Sequence, residues 1–395
     1  MTTTVHAPAH DHSPSLGHRI RRWWTPVGVI VGLELRQRLR TTRWKITLAV
    51  AFVVLALAVF GSMYFSMGPG RSTYANWAQN LYAIVMAAEL FFGVILAPTL
   101  SATAINGDRK DATLAVVQAT PISNWQLAIG KLAGNWVSCL ALVAIASPFL
   151  IWGIIAAPYG IGIGLLGVLV LCLLFACYGG IGLGFSALTA RPAGSAVLTQ
   201  ATVFFLILGL PALFGLGYLT TAQKHQVIRG NYTYPSDSPG AEEPPTQEPV
   251  CTEVEQTETF HHTERIWWLL APNPFLILPD VLAAHDNPRI QQWTGPEPPG
   301  PTVIAPIAEM LSSARVGPYV STPRCTDQHG WYMSGDDSGR KPFYMAKAEH
   351  EKARIGDSWY LGLLVNIALG GIGVVIAARR LRVPAGTLPK GVRIA

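Results

Sequence analysis

From Leu132 to Ala190 the chain has no Asp, Glu, Lys or Arg, a stretch of 59 residues without one charge. Only 13% of all 395 residues are charged, whereas a soluble domain averages about 25%. That shortage excludes a soluble protein with unusually apolar core helices. Motifs for catalysis are missing as well. There is no Gly-x-x-x-x-Gly-Lys-Ser/Thr phosphate loop, and the sole Gly-Lys, Gly130-Lys131, leads into an apolar run. His350-Glu351 lacks the second histidine of a zinc-protease helix, and no Gly-x-Ser-x-Gly occurs. Met1 to Arg22 lacks the apolar core of a cleavable signal peptide. No cysteine accompanies its histidines, and residues 1–22 are expected to form a disordered tail.

What is present is apolar sequence in blocks near the ~20 residues that cross a bilayer. The expected fold is an all-α polytopic membrane protein with six transmembrane helices. The spans are Ile46–Ser66, Leu81–Ile105, Leu132–Ala157, Ile161–Leu188, Ala193–Leu219 and Trp359–Ala378. Residues 23–45 combine apolar positions at near-helical spacing with Glu34, Arg36, Arg38, Arg40, Arg43 and Lys45. This pattern fits an interfacial amphipathic helix, and plain flanking charge explains it too. Gly160, Gly162 and Gly164, then Gly179, Gly180, Gly182 and Gly184, are read as packing contacts, since no strand surrounds them as a nucleotide site requires. Glu89 is the one acid within a span, either a substrate or ion contact or an acid hydrogen-bonded between helices. The structural role has the stronger case.

With the N-terminus inside, the inner segments hold 17 Lys and Arg, against Arg71 alone in the two short outer loops. Both termini, including the tail 379–395, and the loop 106–131 are therefore expected in the cytoplasm. Thr220 to Asp357 becomes an extracellular domain with 11 Lys and Arg against 18 Asp and Glu. Its Pro-, Gly-, Thr- and Glu-rich flanks predict extended loops rather than a large core. Cys251 and Cys325 are its only cysteines, and a disulfide between them is expected outside the membrane. Within this domain 266–284 is nearly as apolar as a span, but Pro272, Pro274 and Pro279 interrupt it. It reads as short helices dipping into the outer leaflet; a seventh span would carry Arg379, Arg380 and Arg382 outside. His261, His262, His285 and His329 are expected to be surface residues.

The loop 106–131 has the most informative chemistry. Asp108 is placed as N-cap of one helix from about Arg109 to Ala119, stopped by Thr120-Pro121. Ser123 and Gln126 have capping-box spacing and start the next helix. An ordinary ordered loop fits the same residues.

Three stretches resemble the membrane subunit of ABC transporters of the type-two exporter class. They are Leu33-Glu-Leu-Arg-Gln-Arg-Leu-Arg before the first span; Ala104-Ile-Asn-Gly-Asp-Arg-Lys-Asp-Ala-Thr-Leu with Ala119-Thr-Pro-Ile-Ser-Asn-Trp-Gln-Leu; and Trp268-Leu-Leu-Ala-Pro-Asn-Pro-Phe, similar to a segment of many actinobacterial members. Ala112 stands where the family usually has glycine, and the polar stretches at 222–262 and 286–357 are larger than usual.

The resemblance implies an ATP-driven permease in the plasma membrane, with ATP and Mg bound by a separate ATPase subunit and no catalytic residue or metal of its own. Its coupling contacts would be Asp108, Arg109, Lys110, Asp111, Thr113 and Leu114, with Arg36, Arg38 and Arg40 alongside. It also implies a homodimer or a pair with a second permease. The substrate path would run between spans two and five, past Glu89 and Phe204, Phe205 or Phe214. Lipids, antibiotics, peptides and hydrophobic drugs fit equally as cargo; membrane lipids are partners and nucleic acid is not. A membrane-anchored receptor or assembly factor, or an enzyme acting on lipid-linked substrates, would instead place function in the outer domain.

Overall fold

The computed structural model describes residues 16–118, 120–157, 160–233, 250–283, 302–325 and 343–382. The tail expected at 379–395, most of that at 1–22, and His285 and His329 lie largely or wholly outside these residues. The chain is mostly helical. Helix α1 (Leu16–Arg40) ends at Thr41, whose extended backbone turns the chain into α2 (Thr42–Met67). Then follow α3 (Tyr74–Ala102), the short α4 (Asn106–Lys110) and α5 (Thr113–Gln118), α6 (Asn124–Ala156) and α7 (Ile161–Leu188). The next helix, α8 (Pro192–Phe204), continues through a π-helical turn at Phe205–Gly209 into α9 (Leu210–Tyr218). After the region between the last two candidate spans comes α13 (Trp359–Arg380). Six helices among the described residues are long and apolar enough to cross a membrane: α2, α3 with its extension, α6, α7, α8–α9 and α13.

Helix α3 is the centre of the bundle, packed on α6 and α7, while α2 and α8–α9 are peripheral and mostly exposed. Small residues set the closest approaches. A Cβ at Gly180 would stand 2.5 Å from the Gly370 carbonyl oxygen, and one at Gly184 2.6 Å from Gly373 Cα, so α7 and α13 meet backbone to backbone. On another face of α7, Gly182 lies against the Pro98 carbonyl of α3. Packing therefore accounts for these glycines. Gly160 instead takes φ +80° at the entry to α7, a left-handed conformation that favours glycine, and Gly162 meets nothing within 4 Å. Two polar side chains inside the bundle find backbone partners across helices: Tyr82 donates to Gly164 O at 2.6 Å and Trp136 to Cys172 O at 2.7 Å.

The region between α9 and α13 departs from the expectation of an all-α chain with extended loops. Strands β1 (Ala222–Thr233) and β2 (Val250–His261) form an antiparallel ribbon in register from Ala222 opposite His261 to Thr233 opposite Val250. Thr and Val alternate with Glu over residues 252–255, and Thr with Gln and Glu over 256–259 in the opposite phase; this β-branched content suits a strand. A Cys251–Cys325 disulfide (Cα–Cα 5.5 Å) ties the ribbon to the segment after α11 (Ala305–Val316), and Gly230 N donates to Pro323 O at 2.7 Å. A further helix, α12 (Phe343–Lys352), packs on α11.

The apolar 266–284 segment folds as short helical pieces. Pro274 opens α10 (Pro274–Ala283), and Pro279 lies inside that helix rather than ending it. Leu276, Ile277, Leu278, Val281 and Leu282 are buried, against α3, α7, α11 and α13. The apolar face of α10 is thus packed against protein. From the same helix the wholly buried Asp280 accepts the backbone N–H groups of Gly356, Ser358 and Trp359, each at 2.8 Å, at the start of α13. Burial raises its carboxyl above the ordinary value, and the three N–H donors oppose that shift.

Replacing Gly180 by Ala drives a methyl group into the α13 backbone and is expected to cost about 1–3 kcal/mol. Gly162→Ala, facing open space, is expected to leave stability unchanged or slightly raised. Thermal unfolding of both variants in detergent checks the contrast, which fails if they melt together.

Candidate functional site

One end of the bundle gathers the charged residues singled out in the sequence. Helix α3 ends at Ala102, and the chain turns into α4 where Ser186 Oγ of α7 accepts the N–H groups of Ile105 (3.0 Å) and Asn106 (3.2 Å). The corner does not continue as the single helix expected from Arg109 to Ala119. It breaks at Asp111-Ala112, because Ala112 sits at φ +55°. This is the left-handed region, where a Cβ costs roughly 1–2 kcal/mol and glycine has no penalty. Helix α5 follows, and Gln118 Nε2 donates to Leu381 O at 3.0 Å, joining the corner to the end of α13. Ser123 and Gln126 form a reciprocal capping box that starts α6, and Gln126 Nε2 donates to Trp23 O of α1 at 2.8 Å.

Asp108 is not the N-cap of a helix; Ile105 occupies that place for α4. Its carboxylate instead meets Lys131 Nζ at 2.5 Å, and the same ammonium reaches Glu34 Oε1 at 3.0 Å. Lys131 is 4% exposed. Arg38, one turn beyond Glu34 and 4.0 Å from it, donates to Asn135 Oδ1 on α6. Burial lowers the Arg38 guanidinium below its ordinary value and Glu34 opposes the shift. Glycine makes this convergence possible: at Gly130 and Gly134 a Cβ would meet Ile30 and Glu34 within 3 Å. Helices α1, α4 and α6 are thus joined by a chain of alternating charge, Asp108–Lys131–Glu34–Arg38.

The candidate coupling residues divide by surroundings. Lys110, Asp111 and Thr113 are exposed at the tip, with Arg36 and Arg40 exposed on α1. Arg109 turns back to donate to Ala187 O at the end of α7, at 3.3 Å. Leu114, expected to face a partner, is 6% exposed and packs with Ile30, Ile105, Leu127 and Leu381. Arg38 and Asp108 likewise spend their charge within the chain. Glu34, named from sequence only among the charges of residues 23–45, and Asn135 are not among the coupling contacts that the resemblance implies. The available signal was that Glu34 is the lone acid in an arginine-rich helix.

A family model described as ABC-2 family transporter protein matches residues 29–287. The chain belongs to that family. No curated protein matches it. An ABC-2 permease is the membrane subunit of an ABC transporter, a multi-pass membrane protein whose ATP-hydrolysing subunit is a partner. The match runs from the middle of α1 past α10 and so contains the whole charged corner.

Elsewhere in the permease, the candidate path residues have unlike surroundings. Glu89 is 1% exposed inside the bundle, with Oε2 lacking a hydrogen-bond partner among the described residues. Phe204 and Phe205 are half exposed on the peripheral span, and Phe214 packs beside Leu270 and Leu311. Among the described residues no three His, Cys, Asp or Glu side chains are placed to hold a metal. His225 and His262 contact each other through Nε2 at 2.9 Å, and His261 stacks on Tyr218.

Lys131→Met strands the Asp108 carboxylate, while Glu34 keeps Arg38, and is expected to destabilise the permease by about 3 kcal/mol, at the low end for a broken buried pair because Asp108 is partly exposed. Adding Asp108→Asn is expected to recover at least 0.5 kcal/mol. A double-mutant cycle in detergent measures the coupling, and strict additivity would refute the linkage. Ala112→Gly is expected to stabilise the corner by roughly 1 kcal/mol, seen as slower amide exchange in α4 and α5; unchanged exchange counts against the strained turn.

Proposed function

We propose that this ABC-2 permease is half of an ATP-driven exporter for a hydrophobic or amphipathic substrate and that its ATPase docks on the α4–α5 corner. The observation that carries this reading is the division of that corner into an exposed tip and an anchored base. Lys110, Asp111 and Thr113 at the tip, flanked by Arg36 and Arg40, offer a surface of both charges to a partner. At the base, Asp108 and Lys131 place opposite charges 2.5 Å apart in a buried setting. Separating them there is costly, so a push on α4 passes to α6 through Lys131 and to α1 through Glu34. Closure of two ATPase subunits on ATP and Mg would deliver that push to a homodimer or heterodimer of permeases.

In this reading the corner lies in the cytoplasm, with both termini, and α1 rests at the inner surface of the plasma membrane. The positive-inside count supports the orientation. So does the grouping of α1, the α4–α5 corner and the basic end of α13 at one end of the bundle. Residues 220–357 are then extracellular. The dimer would place the substrate path at its two-fold axis, beside the peripheral α8–α9.

Affinity purification of the solubilised permease from its host, followed by mass spectrometry, tests the reading. An ATP-hydrolysing subunit is expected with the native chain. It is expected to fall at least tenfold when Lys110, Asp111 and Thr113 are all changed to alanine, a variant that leaves the Asp108–Lys131 contact in place. Absence of any ATPase under mild conditions overturns the proposal and moves attention to the region between α9 and α13.

A further inference from the structure

Two openings differ in kind. A cleft of about 150 Å3 between α7, α8 and α13 is lined almost wholly by apolar groups such as Ile181, Phe185 and Ile372, and nothing in it would recognise a headgroup. A cavity of about 640 Å3 lies where α9 meets the ribbon, α11 and α12. Its size falls within the roughly 300–1,000 Å3 of small-molecule sites. Segments far apart in sequence build it, and they differ in chemistry.

Span five supplies Pro211, Phe214 and Tyr218, and Leu270, Met310 and Ala314 add further apolar wall. Helix α12 supplies Lys347 and Glu351, whose charged ends stand 3.8 Å apart with both side chains close to half exposed. Thr259, Ser313 and Tyr319 add hydroxyl groups. No residue of α9 is fully buried, and Leu213 and Leu216 are exposed on the same helix. This helix therefore gives one face to the cavity and another to the surroundings of the bundle, which for a span is lipid.

We propose that this cavity binds a zwitterionic amphiphile of lysolipid type, with its apolar chain along α9 and its headgroup at α12. Charge complementarity selects the zwitterion. An exposed i,i+4 pair holds itself together by only about 0.3–0.5 kcal/mol, so it opens readily to a ligand that brings both opposite charges. An anionic ligand would satisfy Lys347 and be repelled by Glu351; a cationic one meets the reverse. Exposed apolar side chains on α9 provide a lateral route from the bilayer. That the ligand is cargo rests on the transporter reading; that it binds does not.

The test uses the full-length permease in amphipol with a photoactivatable lysophosphatidylcholine, and labelled peptides are mapped by mass spectrometry. Labelling is expected within α9 and α11, competed by unlabelled lysophosphatidylcholine at least tenfold better than by lysophosphatidylglycerol. Met310→Trp, at a half-exposed lining position, is expected to reduce labelling at least tenfold without moving the melting temperature. Lys347→Glu is expected to reduce it as well, and the exchange Lys347→Glu with Glu351→Lys to restore it. Equal competition by the anionic lipid overturns the zwitterion assignment. Labelling spread equally over α2 and α13 overturns the site. The same preparations are assayed for ATPase recovery: labelling lost with the ATPase retained sinks the cavity proposal alone, and labelling retained without an ATPase sinks the transporter reading alone.

Discussion

The ammonium of Lys131 depends on two carboxylates, and the corner of the bundle depends on that ammonium. At 4% exposure its charge has little water, so Glu34 and Asp108 must both come to it. That requirement brings α1 onto α6, where Gly130 and Gly134 leave room for it. It also fixes α4 as the chain leaves α3. Leu114 closes the apolar side of the same corner. Charge pairing and apolar packing thus hold one small region from opposite faces, leaving Lys110, Asp111 and Thr113 as its free tip.

A second fixed point lies at the start of α13. Asp280 accepts the N–H of Gly356, ahead of the helix, and those of Ser358 and Trp359, which a helix beginning leaves without intrahelical partners. Arg315 adds bonds to Asp357 O and Ser358 Oγ, and lies over the Trp267 ring at 4.6 Å. Segments from across the region between the spans converge on the entry to the last span. This anchoring, with the buried apolar face of α10, ties that segment to the entry of α13.

Much of the architecture was legible because bilayer thickness writes itself into uncharged length. The six apolar runs correspond to six candidate spans, and the Ser123–Gln126 spacing marked the start of α6. Errors fell where the deciding interaction is remote or the residue gives no warning. Alanine by itself does not advertise a left-handed turn, and the family's usual glycine at position 112 is the one signal of the break there; without that break Asp108 reads as a local cap. The partners of Lys131 lie 97 and 23 positions away in the chain, beyond any local pattern. Leu114 belongs to a helix of six residues, too short for periodicity to show which face is buried. The ribbon was hidden because its Thr, Glu and Gln content reads as linker until the alternation is followed. Glu89 and the phenylalanines of α8–α9 were grouped by chemistry, whereas burial separates them.

The glycine contacts between α7 and α13 limit how the bundle moves. With Gly180 against Gly370 and Gly184 against Gly373, each backbone lies in a notch of the other. Sliding by even one residue would carry a side chain into that notch. The fourth and sixth spans therefore travel as one keyed bar, and any opening must come at helices with looser seats. Those are α2 and α8–α9, which pack least within the chain.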